Sequence, residues 1–119
     1  MRYDLIIVGM GSAGMVAAEF APRLGVKVAC VERDRVGGDC LWTGCVPSKA
    51  LLASAKAAHT IRHADAYGLT VVEPGIDTAR VWARIHAIQR QLASTDDNPD
   101  RFRAEGSDPA SRRSGGAGQ

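Results

Sequence analysis

Asp4-Leu5-Ile6-Ile7-Val8-Gly9-Met10-Gly11-Ser12-Ala13-Gly14 is a short β-branched apolar run that passes directly into G-x-G-x-x-G. The run suits a strand buried on both faces of a sheet. A helix-compatible stretch follows from Ser12 to Leu24, Gly25 closes it, and Val26 to Val31 forms a second apolar strand ending at Glu32. The glycine motif carries little alone. Here it joins a strand to a helix and has an acidic residue about 20 positions further on, the β-α-β arrangement that holds a dinucleotide. Gly9 permits the tight turn, Gly11 lets a pyrophosphate approach the backbone, and Gly14 lets helix and strand pack closely. The phosphates would rest on the helix start at Ser12 and Ala13, and Glu32 would accept hydrogen bonds from an adenosine ribose. A β-α-β unit with small residues for packing only is the plainer alternative. Pro22 lies near the end of the helix and is expected to kink or restart its last turn. Cys30, among apolar neighbours, reads as a small buried hydrophobe.

Gly37 to Lys49 reads G-G-D-C-L-W-T-G-C-V-P-S-K. Four residues separate Cys40 from Cys45, short enough for an intrachain disulfide if the backbone bends, and Gly44 can supply the bend. Pro47 fits the first position of a helix, and good helix formers follow. Cys45 is thus expected at a helix N-terminus, where the partial positive charge lowers a thiol's pKa.

This stretch resembles the redox-active segment of the flavin-dependent pyridine nucleotide–disulfide oxidoreductases, the family of dihydrolipoamide dehydrogenase, glutathione reductase and mercuric reductase. Gly37, Gly38, Cys40, Gly44, Cys45, Pro47, Ser48 and Lys49 match the family's usual G-G-T-C, four residues, then C and Pro-Ser/Thr-Lys. Asp39, Trp42 and Thr43 depart from it, and Trp42 is expected to bear on substrate access. The resemblance implies an α/β fold, a partial and truncated Rossmann-like FAD-binding domain, with Gly9, Gly11, Ser12, Ala13, Gly14, Glu32, Gly37, Gly38, Cys45 and Lys49 on the cofactor. The nucleotide fingerprint does not separate FAD from NAD(P), which share an ADP half; the adjoining cysteines favour FAD. By the same resemblance NAD(P)H reduces FAD, FAD reduces the Cys40–Cys45 disulfide, and the dithiol reduces a small-molecule or metal-ion substrate. Cys40 is then the interchange thiol, Cys45 the flavin-side thiolate, and Lys49 a cation near the flavin. A homodimer is expected of the complete family enzyme.

Beyond the cysteines, Ser48 to about Tyr67 is helix-like, with Leu51, Leu52, Ala55, Ala57, Ala58 and Ile61 giving an apolar side. Leu69 to Glu73 reads as a short strand and Pro74-Gly75 as a turn. Asp77 or Thr78 caps a further helix in which Val81, Ile85, Ile88 and Leu92 form a stripe, with Arg84, Gln89, Arg90 and Gln91 on the polar side. Pro99 to Glu105 gives one or two helical turns. After Phe102 no Val, Ile, Leu, Met or aromatic residue occurs, so 106–119 reads as a flexible tail on a domain spanning 1–105. Truncation is expected, since the family's nicotinamide and dimerisation domains have no counterpart in these residues.

The 119 residues suffice for one small domain, and 45% hydrophobic with 24% charged residues argues against disorder throughout. A net charge of +2 is too small a surplus to argue for nucleic acid. The longest uncharged run, Leu5 to Ala18, is shorter than the roughly 20 residues that span a bilayer, so no membrane segment is expected and a cytoplasmic location is. Two other readings stay open. Cys40-x4-Cys45 with His59-x3-His63 falls within a two-Cys, two-His zinc pattern, and the chain could be a non-catalytic nucleotide-binding fragment.

Overall fold

The computed structural model describes residues 2–111. Strand β1 (Leu5–Val8) leads through the glycine loop into helix α1 (Ser12–Phe20), and a 3-10 turn over Ala21–Leu24 restarts the helix at Pro22. Gly25, at φ +78°, ends that turn in the left-handed region open to glycine, and strand β2 (Val28–Glu32) follows. β1 and β2 run parallel, with Leu5 opposite Val28 and Val8 opposite Val31.

The core lies on one face of this sheet. Met10, Ala18, Val28, Cys30 and Phe102 are buried together, with Ile7, Met15, Ala21, Val26 and Val36 packed around them. Alternation along a strand sends Val28 and Cys30 toward α1 and Ala29 and Val31 away from it. Among the described residues nothing covers that second face: Ile6 is 62% exposed and Val8 83%. The strand expected to be buried on both faces is therefore buried on one.

Helix α2 (Gly38–Trp42) was not foreseen, because Gly-Gly opens it and it is only 5 residues long. Helix α3 (Cys45–Arg62) starts two residues before Pro47, which sits inside its first turn, where a missing N–H still costs nothing. A 3-10 turn over Ala64–Tyr67 ends at Gly68. The strand expected at Leu69 to Glu73 is absent; among the described residues no neighbouring strand pairs with it, and Glu73 forms an ion pair with Arg62. Helix α4 (Thr78–Ser94) begins under Asp77, whose carboxylate accepts from the Arg80 N–H at 3.1 Å. It packs on α3, burying Ile85 and Gln89 while Ala50 is buried on the α3 side.

Helix α5 (Pro99–Ala104) puts Phe102 into the core and leads to strand β3 (Ser107–Ser111). β3 pairs parallel to β2, giving the order β1-β2-β3. Part of the tail expected over 106–119 is thus strand; residues 112–119 lie outside the described residues. An edge strand is held by backbone pairing rather than apolar content, and an edge tolerates Pro109. The buried Ser107 hydroxyl also donates to the Ala18 carbonyl at 2.6 Å.

Candidate functional site: the glycine loop and the paired cysteines

The glycine loop is tied at three points. The Gly9 N–H donates to the Val31 carbonyl at 2.7 Å, and Gly9 takes φ +94°, a conformation few L side chains adopt. A Cβ on Gly14 would lie 1.8 Å from the Gly9 carbonyl oxygen, so α1 approaches the strand end as closely as backbones allow. Met10, between the first two glycines, is the third tie. Its side chain is fully buried, its N–H donates to Glu32 Oε2 at 2.6 Å, and its carbonyl accepts from the Gly37 N–H at 2.9 Å. Sequence reasoning passed over Met10, because the pattern leaves its position unspecified.

Glu32 ends β2 as expected. Its other oxygen accepts from the Asp34 N–H at 2.8 Å. Backbone donation, from Asp34 first and with Met10 and Arg33 contributing, holds its carboxyl below the usual range although burial opposes this. A carboxylate offers about four lone-pair sites, so these backbone donors still leave capacity for a ribose hydroxyl. Glu32 also lines a cleft of about 290 Å³ with Asp34, Arg35, Trp42, Asp97 and Arg103. Burial pushes the Asp97 carboxyl up, with the charge of Asp96 adding to it.

The Gly37-Gly38 pair carries the chain from this loop to the cysteines. Gly37 has φ +104° and Gly38 φ +55°, and a Cβ on Gly38 would lie 2.8 Å from the Gly11 Cα. Only glycine lets the two segments touch. Cys40 then lies in α2, half-buried, and Cys45 opens α3, exposed, with Gly44 at the N-cap. A Cβ on Gly44 would sit 2.9 Å from the Asp39 carbonyl oxygen, which makes the turn between the cysteines tight.

Both cysteines are free thiols. The Cys45 thiol is pushed up, first by its hydrogen bond with Cys40, then by the charge on Cys40 and by burial. Its own N–H at the helix start and Lys49, one turn on, pull it down. The sequence reading had only this second influence. The neighbouring sulfur outweighs it. Cys30 is buried in the core, which pushes its thiol up.

Trp42 turns toward the cleft. Its indole N–H donates to the Val36 carbonyl at 2.9 Å and the Arg35 guanidinium lies 4.1 Å over its ring. Gln89, read as part of the polar side of α4, is 7% exposed, and its amide donates to the carbonyls of Leu41 at 3.0 Å and Trp42 at 2.9 Å.

The zinc alternative fails on distance. His59 and His63 stack at 4.0 Å near the end of α3, but His59 is 14 residues from Cys45, about 21 Å at 1.5 Å per helical residue. Among the described residues no three metal-binding side chains cluster. Among them, too, no helix is long and apolar enough to cross a membrane.

A family model described as pyridine nucleotide-disulphide oxidoreductase matches residues 3–106. The chain is 47% identical over 93 residues to a dihydrolipoyl dehydrogenase of Zymomonas mobilis, covering 78% of this chain and 20% of that one. To a dihydrolipoyl dehydrogenase of Bacillus subtilis it is 44% identical, with the same coverage. The chain therefore spans about a fifth of these relatives. Its fold superposes with TM-score 0.66 on the HOCl-induced flavoprotein disulfide reductase RclA from Escherichia coli, solved as a Cu(II) complex. That likeness covers 93% of this chain and 22% of the other at 21% identity, and speaks for the fold alone.

Proposed function

The chain belongs to the pyridine nucleotide-disulphide oxidoreductase family, and from that premise we propose that it is the FAD-binding, dithiol-bearing portion of an FAD-dependent NAD(P)H oxidoreductase of the dihydrolipoamide dehydrogenase kind. The observation that carries this reading is the hydrogen bond from Gly37 N–H to the Met10 carbonyl, with Gly38 against Gly11. It joins the nucleotide loop and the cysteine segment in one site. The residues fit the cofactor: Gly11 leaves the loop open, the first turn of α1 has no side-chain cap to occupy its N–H groups, and Glu32 keeps acceptor capacity.

Gly9, Gly11, Ser12, Ala13 and Gly14 would hold the pyrophosphate, Glu32 the ribose, and Gly37, Gly38, Cys45 and Lys49 the flavin side. The flavin supplies a two-electron relay between nicotinamide and the cysteines. The cysteines perform thiol–disulfide exchange: a substrate dithiol and the Cys40–Cys45 disulfide become a substrate disulfide and two cysteine thiols, or the reverse. Cys40 exchanges with the substrate while Cys45 faces the flavin. The relatives' names favour a dihydrolipoyl-type dithiol as substrate and give no support to mercuric ion. The exposed apolar face of Ile6 and Val8 supports the expectation that these residues by themselves bind FAD weakly and do not turn over substrate.

Titrating FAD into the chain, with thiols counted before and after mild oxidation, tests the reading. Saturable FAD binding and loss of two thiols support it; failure of either contradicts it.

A further inference from the structure

Helix α4 contributes none of the residues assigned to cofactor or substrate, yet it grips both cysteine-bearing helices. Gln89 donates to the carbonyls of Leu41 and Trp42, the last two residues of α2. Arg84 donates from the same helix to the Ala50 carbonyl of α3 at 3.1 Å. The final carbonyls of a helix have no partner within it, and a buried carbonyl without one is costly. Gln89 supplies both partners, from 48 and 47 positions away along the chain.

The two gripped carbonyls belong to the segment that separates Cys40 from Cys45. We propose that Gln89 is a positioning residue for the cysteine pair: by fixing this segment it raises the effective concentration of one sulfur at the other and makes the disulfide harder to reduce. This rests on the reading that the pair cycles between dithiol and disulfide. Closing a disulfide requires the two Cα atoms within about 4.4–6.8 Å. A segment already folded tightly, as the 2.9 Å approach of a Gly44 Cβ to the Asp39 carbonyl oxygen shows, loses little further freedom on closure, whereas a released segment favours the dithiol. Arg84 assists by fixing α3 beyond Cys45.

The test is equilibration of the full chain with a glutathione thiol–disulfide couple. Two glutathione thiols transfer two electrons and two protons to the protein; the protein S–S bond breaks to leave thiols on Cys40 and Cys45, and one glutathione disulfide forms. Gln89→Met keeps volume and removes both donors. It should shift the equilibrium about tenfold toward the dithiol, which is about 30 mV for two electrons. Ile85→Val, one turn away in the same buried stripe, loses packing without touching a carbonyl and should leave the equilibrium unchanged. Arg84→Met, at an exposed position, should shift it in the same direction by a smaller factor, and decides the matter if Gln89→Met loses helix content by circular dichroism. An unshifted equilibrium in Gln89→Met, or in Arg84→Met where that variant decides, overturns the proposal, as does an equal shift in Ile85→Val. A wild-type chain that forms no Cys40–Cys45 disulfide overturns the cycling reading itself and this proposal with it.

Discussion

Gly14→Ala places a methyl group where the structure has no room. The new Cβ would stand 1.8 Å from the Gly9 carbonyl oxygen and must retreat by about 1.6 Å to reach the 3.4 Å of ordinary contact. The obstacle is backbone, so no rotamer change relieves it; α1 must lift from the strand end or the Gly9 turn must open. Overpacking of this kind costs about 1–3 kcal/mol, and the helical preference of Ala over Gly returns about 0.5–1 kcal/mol. Net destabilisation of about 1–2 kcal/mol is expected, with FAD affinity falling further because the displaced turn is the proposed phosphate cradle. Gly25→Ala is the control. Gly25 has open space around it but φ +78°, so it incurs strain of about 1–2 kcal/mol without disturbing the cradle. Urea unfolding and FAD titration of both variants give the comparison. If Gly14→Ala binds FAD as wild type does, or if both variants lose affinity equally, the close-packing argument is wrong.

Mild oxidation should remove the Cys40 and Cys45 thiols and spare Cys30, which is fully buried; peptide mapping that finds Cys30 in the bridge contradicts the assignment. The lowered Glu32 carboxyl stabilises the fold above its unfolded pKa of about 4.3, and this contribution is lost as pH falls through the lower folded value. In Glu32→Gln the acid limb of stability against pH should be shallower; superimposable limbs would show that the Met10 and Asp34 hydrogen bonds do not favour the charged form. Phe102→Ala should cost about 3–5 kcal/mol, because Phe102 is 1% exposed in the cluster that joins α5 to the sheet. Unchanged thermal stability there would place the core elsewhere.

The β-α-β unit could be read from sequence because each of its parts leaves a local mark: an apolar run, glycines where backbones meet, and an acidic residue at a strand end. β3 left none, since Ser107, Asp108 and Pro109 are held by pairing and by the hydroxyl bonds of Ser107 and Tyr3 rather than by apolar side chains. Helix α2 was hidden by its two opening glycines. Gln89 looked like surface because helical periodicity assigns a polar residue outward, and its partners lie on a distant segment. The Cys45 thiol followed the same logic: the helix start acts as expected, but the stronger neighbour is Cys40, whose influence depends on how tightly the turn folds. The zinc pattern matched in spacing along the chain and failed in space, because a continuous helix separates the cysteines from the histidines.

The central claim is that the glycine loop and the cysteine pair form one flavin site. The direct measurement is the visible spectrum of FAD bound to the chain, recorded before and after the Cys40–Cys45 disulfide is reduced with a stoichiometric dithiol. A flavin band that changes on reduction in the wild type, and stays unchanged in Cys45→Ser, is the expected result. Bound FAD whose spectrum ignores the state of the cysteines, or a chain that takes up NAD and not FAD, would contradict the account.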